Sequence, residues 1–264
     1  MLKKILAIYL VFLSAASIQS CQSIGRIFDF GLSADVKYYA YDNYCSAYEL
    51  MDSGAKKDVV YILDEYHGLP VTAIGKADAT AVQYADFSSN NASKIYFPWS
   101  LNTLFGAGCS YSSELDYIIC ASNQVIPTRI DQFKYSDSYY YTNFTFVVSN
   151  TSYQNIITNG KISYMKVTDE IVNICTPANI AYFFNYKDNP NEGYFFVDLL
   201  ESTGKLTKPP YDPKREGYNF AGWYTDPECT DKWDFENDVV TIEFDEEGKR
   251  IYEEVFLYAK WDKK

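Results

Sequence analysis

Lys208-Pro209-Pro210-Tyr211-Asp212-Pro213-Lys214-Arg215-Glu216-Gly217-Tyr218-Asn219-Phe220-Ala221-Gly222-Trp223-Tyr224 is the stretch from which the fold is read. Gly217 punctuates a turn and Gly222 a strand. Upstream, Tyr182-Phe183-Phe184-Asn185-Tyr186 and Gly193-Tyr194-Phe195-Phe196-Val197 are aromatic runs flanking Asn189-Pro190-Asn191, the pattern of a β-hairpin. Downstream come Trp233-Asp234-Phe235, an acidic stretch from Glu243 to Glu254, and a last strand around Leu257-Tyr258-Ala259-Lys260-Trp261. Thr176-Pro177 interrupts the run before this block and offers a boundary, which assigns residues 180–264 to a separate small module.

Residues from Asp35 to about Val172 read differently. Short aromatic or β-branched runs such as Val59-Val60-Tyr61-Ile62, Lys94-Ile95-Tyr96-Phe97 and Phe144-Thr145-Phe146-Val147-Val148 are separated by Ser, Asn, Gly and Asp. Val71-Thr72-Ala73-Ile74-Gly75, Ile95-Tyr96-Phe97-Pro98 and Leu115-Asp116-Tyr117-Ile118-Ile119 recur at a little over twenty residues, a solenoid period. Each coil of a solenoid buries its apolar residues against the coils above and below. Roughly three to five coils are expected. The Tyr-rich segment from Asp35 to Leu50 is either an amino-terminal cap or an ordinary edge hairpin.

Two resemblances accompany these patterns. His67-Gly68-Leu69-Pro70-Val71-Thr72-Ala73-Ile74-Gly75 resembles the lead-in of the leucine-rich repeats of Bacteroides surface protein A. The segment Ile95 to Cys120, with Pro98, Leu101, Leu104, Phe105, Cys109 and Leu115, is similar to one full repeat of that family. Lys208 to Tyr224, with Trp233-Asp234-Phe235 and Leu257 to Trp261, closely resembles the Listeria-Bacteroides repeat, the B-repeat of internalins. That family implies a small β-grasp-like fold. The expected class is therefore mainly β: a leucine-rich-repeat-like solenoid over residues 35–176, then a β-grasp-like repeat module over residues 180–264.

At the amino terminus, Lys3 and Lys4 precede the apolar run Ile5 to Ala16, the layout of a secretory signal peptide. Ile18-Gln19-Ser20-Cys21 resembles the lipobox of bacterial lipoproteins, which implies cleavage before Cys21 and its lipidation. An ordinary signal peptide cut near Ser20 would leave Cys21 a plain thiol. On the first reading residues 1–20 are removed, residues 21–34 form a tether, and Cys21 is the sole attachment to the membrane.

Loss of Lys3 and Lys4 takes the formal charge from −12 to −14. Nucleic acid is excluded as a partner on that ground, since its binding rests on neutralising phosphates with Lys and Arg. The 26 tyrosines and 17 phenylalanines favour strands over helices. Of six cysteines, lipidation removes one and leaves an odd, loosely spaced set, so buried thiols are expected rather than a disulfide framework.

Candidate chemistry is sparse. His67 is the only histidine and lies in the turn Tyr66-His67-Gly68, which the repeat resemblance already explains, so triad catalysis and an ordinary zinc site lack members. Asp64-Glu65, Asp226 with Glu228, and Asp245-Glu246-Glu247 read as solvated turns. Ser202-Thr203-Gly204-Lys205-Leu206-Thr207 lacks the Ser or Thr after lysine that a phosphate loop requires. Tyr139, Tyr140 and Tyr141 are the nameable candidate for ligand contact, because clustered tyrosines supply amphipathic area; packing across strands is the competing role. The sequence thus reads as a non-catalytic lipoprotein of the cell surface, without metal or cofactor, anchored at Cys21 and binding a protein or glycan. A glycan hydrolase with two carboxylates in the solenoid and a structural spacer are the alternatives.

Overall fold

A computed structural model describes residues 35–77, 82–83, 85–87, 91–104, 109–111, 114–124, 144–159, 175–248, 251 and 253–264. The described chain is mainly β. It opens with the antiparallel hairpin β1 (Val36–Ala40) and β2 (Cys45–Leu50), a short 3-10 turn, Gly54–Lys56, and β3 (Val59–Tyr61). The turn at His67 and Gly68 joins β4 (Glu65–Tyr66) to β5 (Leu69–Ile74), followed by β6 (Lys76–Ala77), β7 (Val82–Gln83) and β8 (Ala85–Phe87). Then come β9 (Lys94–Phe97), β10 (Thr103–Leu104), β11 (Cys109–Tyr111), β12 (Tyr117–Cys120) and β13 (Thr145–Val148). Helix α1 (Asn150–Asn159) and β14 (Cys175–Pro177) complete the first part. Ser149 caps the helix, its Oγ accepting the Ser152 amide at 3.0 Å.

Five of these strands form a parallel ladder in the order β3, β9, β12, β13, β14. Register is strict: Val60 stands beside Ile95, Ile95 beside Ile118, Ile118 beside Phe146, and Phe146 beside Cys175. Because side chains alternate across a strand, Val60, Ile95, Phe97, Ile118, Cys120, Phe146, Val148 and Cys175 enter one apolar cluster. Tyr96, Ile119 and Val147 enter another on the opposite face. A parallel ladder covered on both faces needs continuous apolar strands, which is why Tyr117-Ile118-Ile119-Cys120 shows no polar alternation.

The second sheet of this part runs β10, β5, β2, β8, β11, with β1 beside β2. Here an expectation is corrected. Val71 to Gly75 does not precede Ile95 to Phe97 in the ladder; β9 pairs instead with β3, while β5 pairs with β2 and β10. The turn at His67, whose φ is +50°, folds β5 back against β4 and removes it from the ladder. The buried cysteines Cys120 and Cys175 are free thiols, as is half-buried Cys229.

Strand β15 (Ile180–Phe183) begins just after β14 ends and opens a four-stranded sheet with β16 (Tyr194–Asp198), β17 (Tyr218–Tyr224) and β18 (Val255–Lys263). Its order is β16, β15, β18, β17; the central pair is parallel and both flanking pairs are antiparallel. The hairpin expected around Asn189 to Asn191 is present. Gly217 turns at φ +75°, and Gly222 sits at φ +125° where the register of β17 shifts against β18.

Candidate functional site

Cys21, Tyr139, Tyr140 and Tyr141 lie outside the described residues. His67 is exposed, its ring edge-on to Tyr66 at 4.2 Å. Asp226 organises a turn: its carboxylate accepts the Asp231 amide at 2.9 Å and the Thr230 amide at 3.0 Å, bonds that hold its pKa below the usual range. Asp245 likewise accepts the Glu247 amide. Asp64 departs from the solvated-turn expectation. It is half-buried, which raises its pKa, and accepts Trp99 Nε1 at 3.0 Å. In the Ser202 to Thr207 segment, Gly204 bridges to Val240 and Thr203 Oγ1 accepts the Ile242 amide, so the loop is tied to its neighbour. Among the described residues, no three His, Cys, Asp or Glu side chains are grouped to hold a metal ion.

The face of the ladder carrying Tyr96, Ile119 and Val147 is covered by the carboxy-terminal four-stranded sheet. These residues and Ala121 share one cluster with Tyr182, Phe184, Phe195, Phe196, Trp223 and Leu257. All five residues of β16 are buried. Tyr96 stacks on Phe196 at 5.1 Å with planes 10° apart, and its hydroxyl donates to Asp198 Oδ1 at 2.8 Å. Burial, reinforced by the neighbouring carboxylate, raises the Tyr96 pKa well above its ordinary range. Polar contacts frame this apolar centre. Asn191 Nδ2 donates to Ala121 O at 2.7 Å, the Asn123 amide donates to Asn191 Oδ1 at 2.8 Å, and Tyr117 Oη donates to Glu201 Oε1 at 2.6 Å. Lys214 pairs with Glu65 at 2.8 Å, an exposed bridge of small energetic weight.

Anchoring β16 in this way positions the connection that leads into it. Between Phe184 and Gly193 the chain is longer than the ~2–5 residues of ordinary hairpin loops. Asn185, Asp188, Asn191 and Glu192 all adopt φ between +52° and +58°. Asn and Asp tolerate that region; Glu does so at a cost of about 1–3 kcal/mol. The coiled loop and the outer face of β18 border a shallow, open hollow of about 380 Å³. Phe183 and Tyr258 form an aromatic wall, their rings 5.5 Å apart and 20° from parallel. Tyr186, Asn185, Asn189, Lys187 and Glu192 supply polar groups, and Gly193 completes the lining. Asn185 is fixed by donation from Nδ2 to Pro227 O at 2.9 Å and Ala259 O at 3.2 Å. Asn189 Nδ2 is engaged by Tyr186 O. Arg215 lies 4.6 Å from the Tyr186 ring and 3.8 Å from the Tyr218 ring, bracing Tyr186 from outside the hollow.

Every residue lining the hollow lies in one sequence family. Residues 182–260 match the Listeria-Bacteroides repeat domain. Two relatives are similar to the chain over 72 residues each. A protein of Evansella cellulosilytica, provisionally named a membrane protein, is 39% identical there, an alignment covering 27% of this chain and 9% of the relative. A second from that organism, provisionally named a Gly-rich membrane protein, is 36% identical and is covered to 7% of its length. The chain therefore spans less than a tenth of these curated relatives. No solved structure matches the chain. Neither Asn185, Lys187, Asn189 nor Glu192 stood out in the sequence as a site; the only signal was the unusual length and polarity of the repeat's first hairpin loop.

Proposed function

We propose that this protein is a non-catalytic surface lipoprotein, held at the membrane by a lipidated Cys21, that displays a solenoid and a repeat module as one binding unit for a protein or glycan. The repeat domain at 182–260 is the observation that carries the reading, and it is joined by relatives provisionally named membrane proteins. Among the described residues, no helix is long and apolar enough to cross a membrane.

The architecture supports display rather than chemistry. A parallel ladder whose five strands stand in chain order, with other strands diverted between them, supports the reading of a leucine-rich-repeat-like solenoid. The order of the carboxy-terminal sheet, with a parallel central pair and two flanking antiparallel pairs, supports the reading of a β-grasp-like module. Glu192 is the one carboxylate lining the hollow, whereas hydrolysis of a glycoside ordinarily uses a carboxyl pair.

Metabolic labelling with radioactive palmitate, combined with protease treatment of intact cells, tests the proposal. The natural protein is expected to take up label and to be digested from outside, and Cys21→Ser to lose the label. A natural protein without label, or one protected from the protease, would contradict it.

A further inference from the structure

We infer that the hollow at the end of the β15–β16 hairpin is a saccharide-binding site that takes a short neutral glycan. The inference rests on the surface-binding reading above and adds the place on the repeat module and the chemistry of the ligand.

Size and shape come first. A volume of about 380 Å³ lies at the small end of the ~300–1,000 Å³ usual for small-ligand sites. A protein partner ordinarily needs about 800 Å² on each side, with an apolar centre. The exposed large hydrophobic residues, Ile157, Val239, Phe244 and Ile251, do not line the hollow. Its dimensions suit one end of a small molecule or a few units of a polymer.

The lining then selects the chemistry. A pyranose ring has an apolar C–H face and a rim of hydroxyls, each both donor and acceptor. Phe183 and Tyr258 present the apolar wall. Around it stand the Tyr186 and Tyr258 hydroxyls and the Lys187 ammonium as donors, with the Asn185 and Asn189 carboxamide oxygens and the Glu192 carboxylate as acceptors. The bonds from Nδ2 of both asparagines go to protein acceptors, which fixes the side chains and leaves each Oδ1 for another partner. Glu192 Oε2 accepts Asn123 Nδ2 at 3.2 Å, so the far wall is held by the ladder. Asn185, Asn189 and Glu192 are thereby ordered before a ligand arrives, which lowers the entropy lost on binding.

Charge narrows the class further. Lys187 and Glu192 cancel within the lining, and a protein of formal charge −12 repels polyanions. A neutral saccharide meets neither penalty. Gly193 is required at the base: its φ is +95°, and a Cβ there would come within 3.3 Å of Phe183 Cδ1 and 3.5 Å of Asn189 Oδ1.

Calorimetric titration of the full chain with cellobiose, maltose, mannobiose, lactose and diacetylchitobiose tests the assignment. At least one is expected to bind saturably. Tyr258→Ala and the exposed Lys187→Ala should each weaken it, the first by about tenfold or more, while Tyr41→Ala on the β1–β2 hairpin leaves it unchanged. Circular dichroism identifies a variant that has merely unfolded, in which case Lys187→Ala decides. Silence from all five sugars, or equal affinity in Tyr258→Ala and Lys187→Ala, would overturn the site. So would a protein ligand lost in Tyr258→Ala while the sugars stay silent. Failure here with palmitate labelling of Cys21 intact removes the saccharide site alone, whereas loss of labelling removes the surface reading beneath it.

Discussion

Tyr61 and Tyr96 sit side by side on neighbouring ladder strands, their rings 4.7 Å apart, with Tyr96 bound to Asp198 across the contact between the two parts. Burial pushes the Tyr61 pKa up to about 12 from 10.0, with the Asp198 charge adding to the effect. The Cys120 and Cys175 thiols, on the other face of the ladder, are pushed by burial up to about 12 from 9.0. All are neutral when protonated, so between these values the folded chain holds protons that the unfolded chain releases. Their contribution to stability is complete below about pH 9 and is lost as pH rises from there through about 12. Urea midpoints measured across pH 6 to 12 should be flat near neutrality on account of these groups and fall from about pH 9 upward. A midpoint that holds to pH 12 would contradict the buried, protonated state assigned to them. None of this was legible in the sequence, where Tyr96 is one of 26 tyrosines and nothing local marks it as the residue facing Asp198.

Individual strands were far more legible than their neighbours. Lys94-Ile95-Tyr96-Phe97, Tyr117-Ile118-Ile119-Cys120 and Thr145-Phe146-Val147-Val148 share one pattern of a half-exposed residue followed by three buried ones, a composition that declares a doubly covered strand. What composition left open was pairing: β3 and β5 both suit a place beside β9, and the choice is made by where the intervening chain returns. The 3-10 turn at Gly54–Lys56 is one such determinant. A Cβ on Gly54 would lie 2.2 Å from Asp35 O, the acceptor of the Met51 amide at 2.8 Å. That neighbour is backbone and cannot rotate away. Gly54→Ala should therefore cost about 1–3 kcal/mol in urea denaturation, the usual range for overpacking; an unchanged midpoint would show that β1 and the turn are not in this close contact. The hollow was illegible for a related reason. Asn185, Asn189 and Glu192 look like any polar turn, and they converge only because left-handed backbone at Asn185, Asp188, Asn191 and Glu192 coils the loop.

The two parts of the molecule were visible in the sequence as a change of pattern near Thr176-Pro177, but their joint core was not. Tyr96, Ile119, Ala121 and Val147 complete the same cluster as Phe196, Trp223 and Leu257, so neither part keeps its apolar surface covered without the other. Truncating a buried aromatic costs about 3–5 kcal/mol, a large share of the ~5–15 kcal/mol that holds a domain folded. The repeat module is thus a fixed head on the ladder, with its hollow at a defined position, and not a bead on a string. Differential scanning calorimetry of the natural chain and of Phe196→Ala tests this most directly. One cooperative transition is predicted for the natural chain, moved as a whole to lower temperature by Phe196→Ala. Two separate transitions in the natural chain, with Phe196→Ala shifting only one of them, would contradict it.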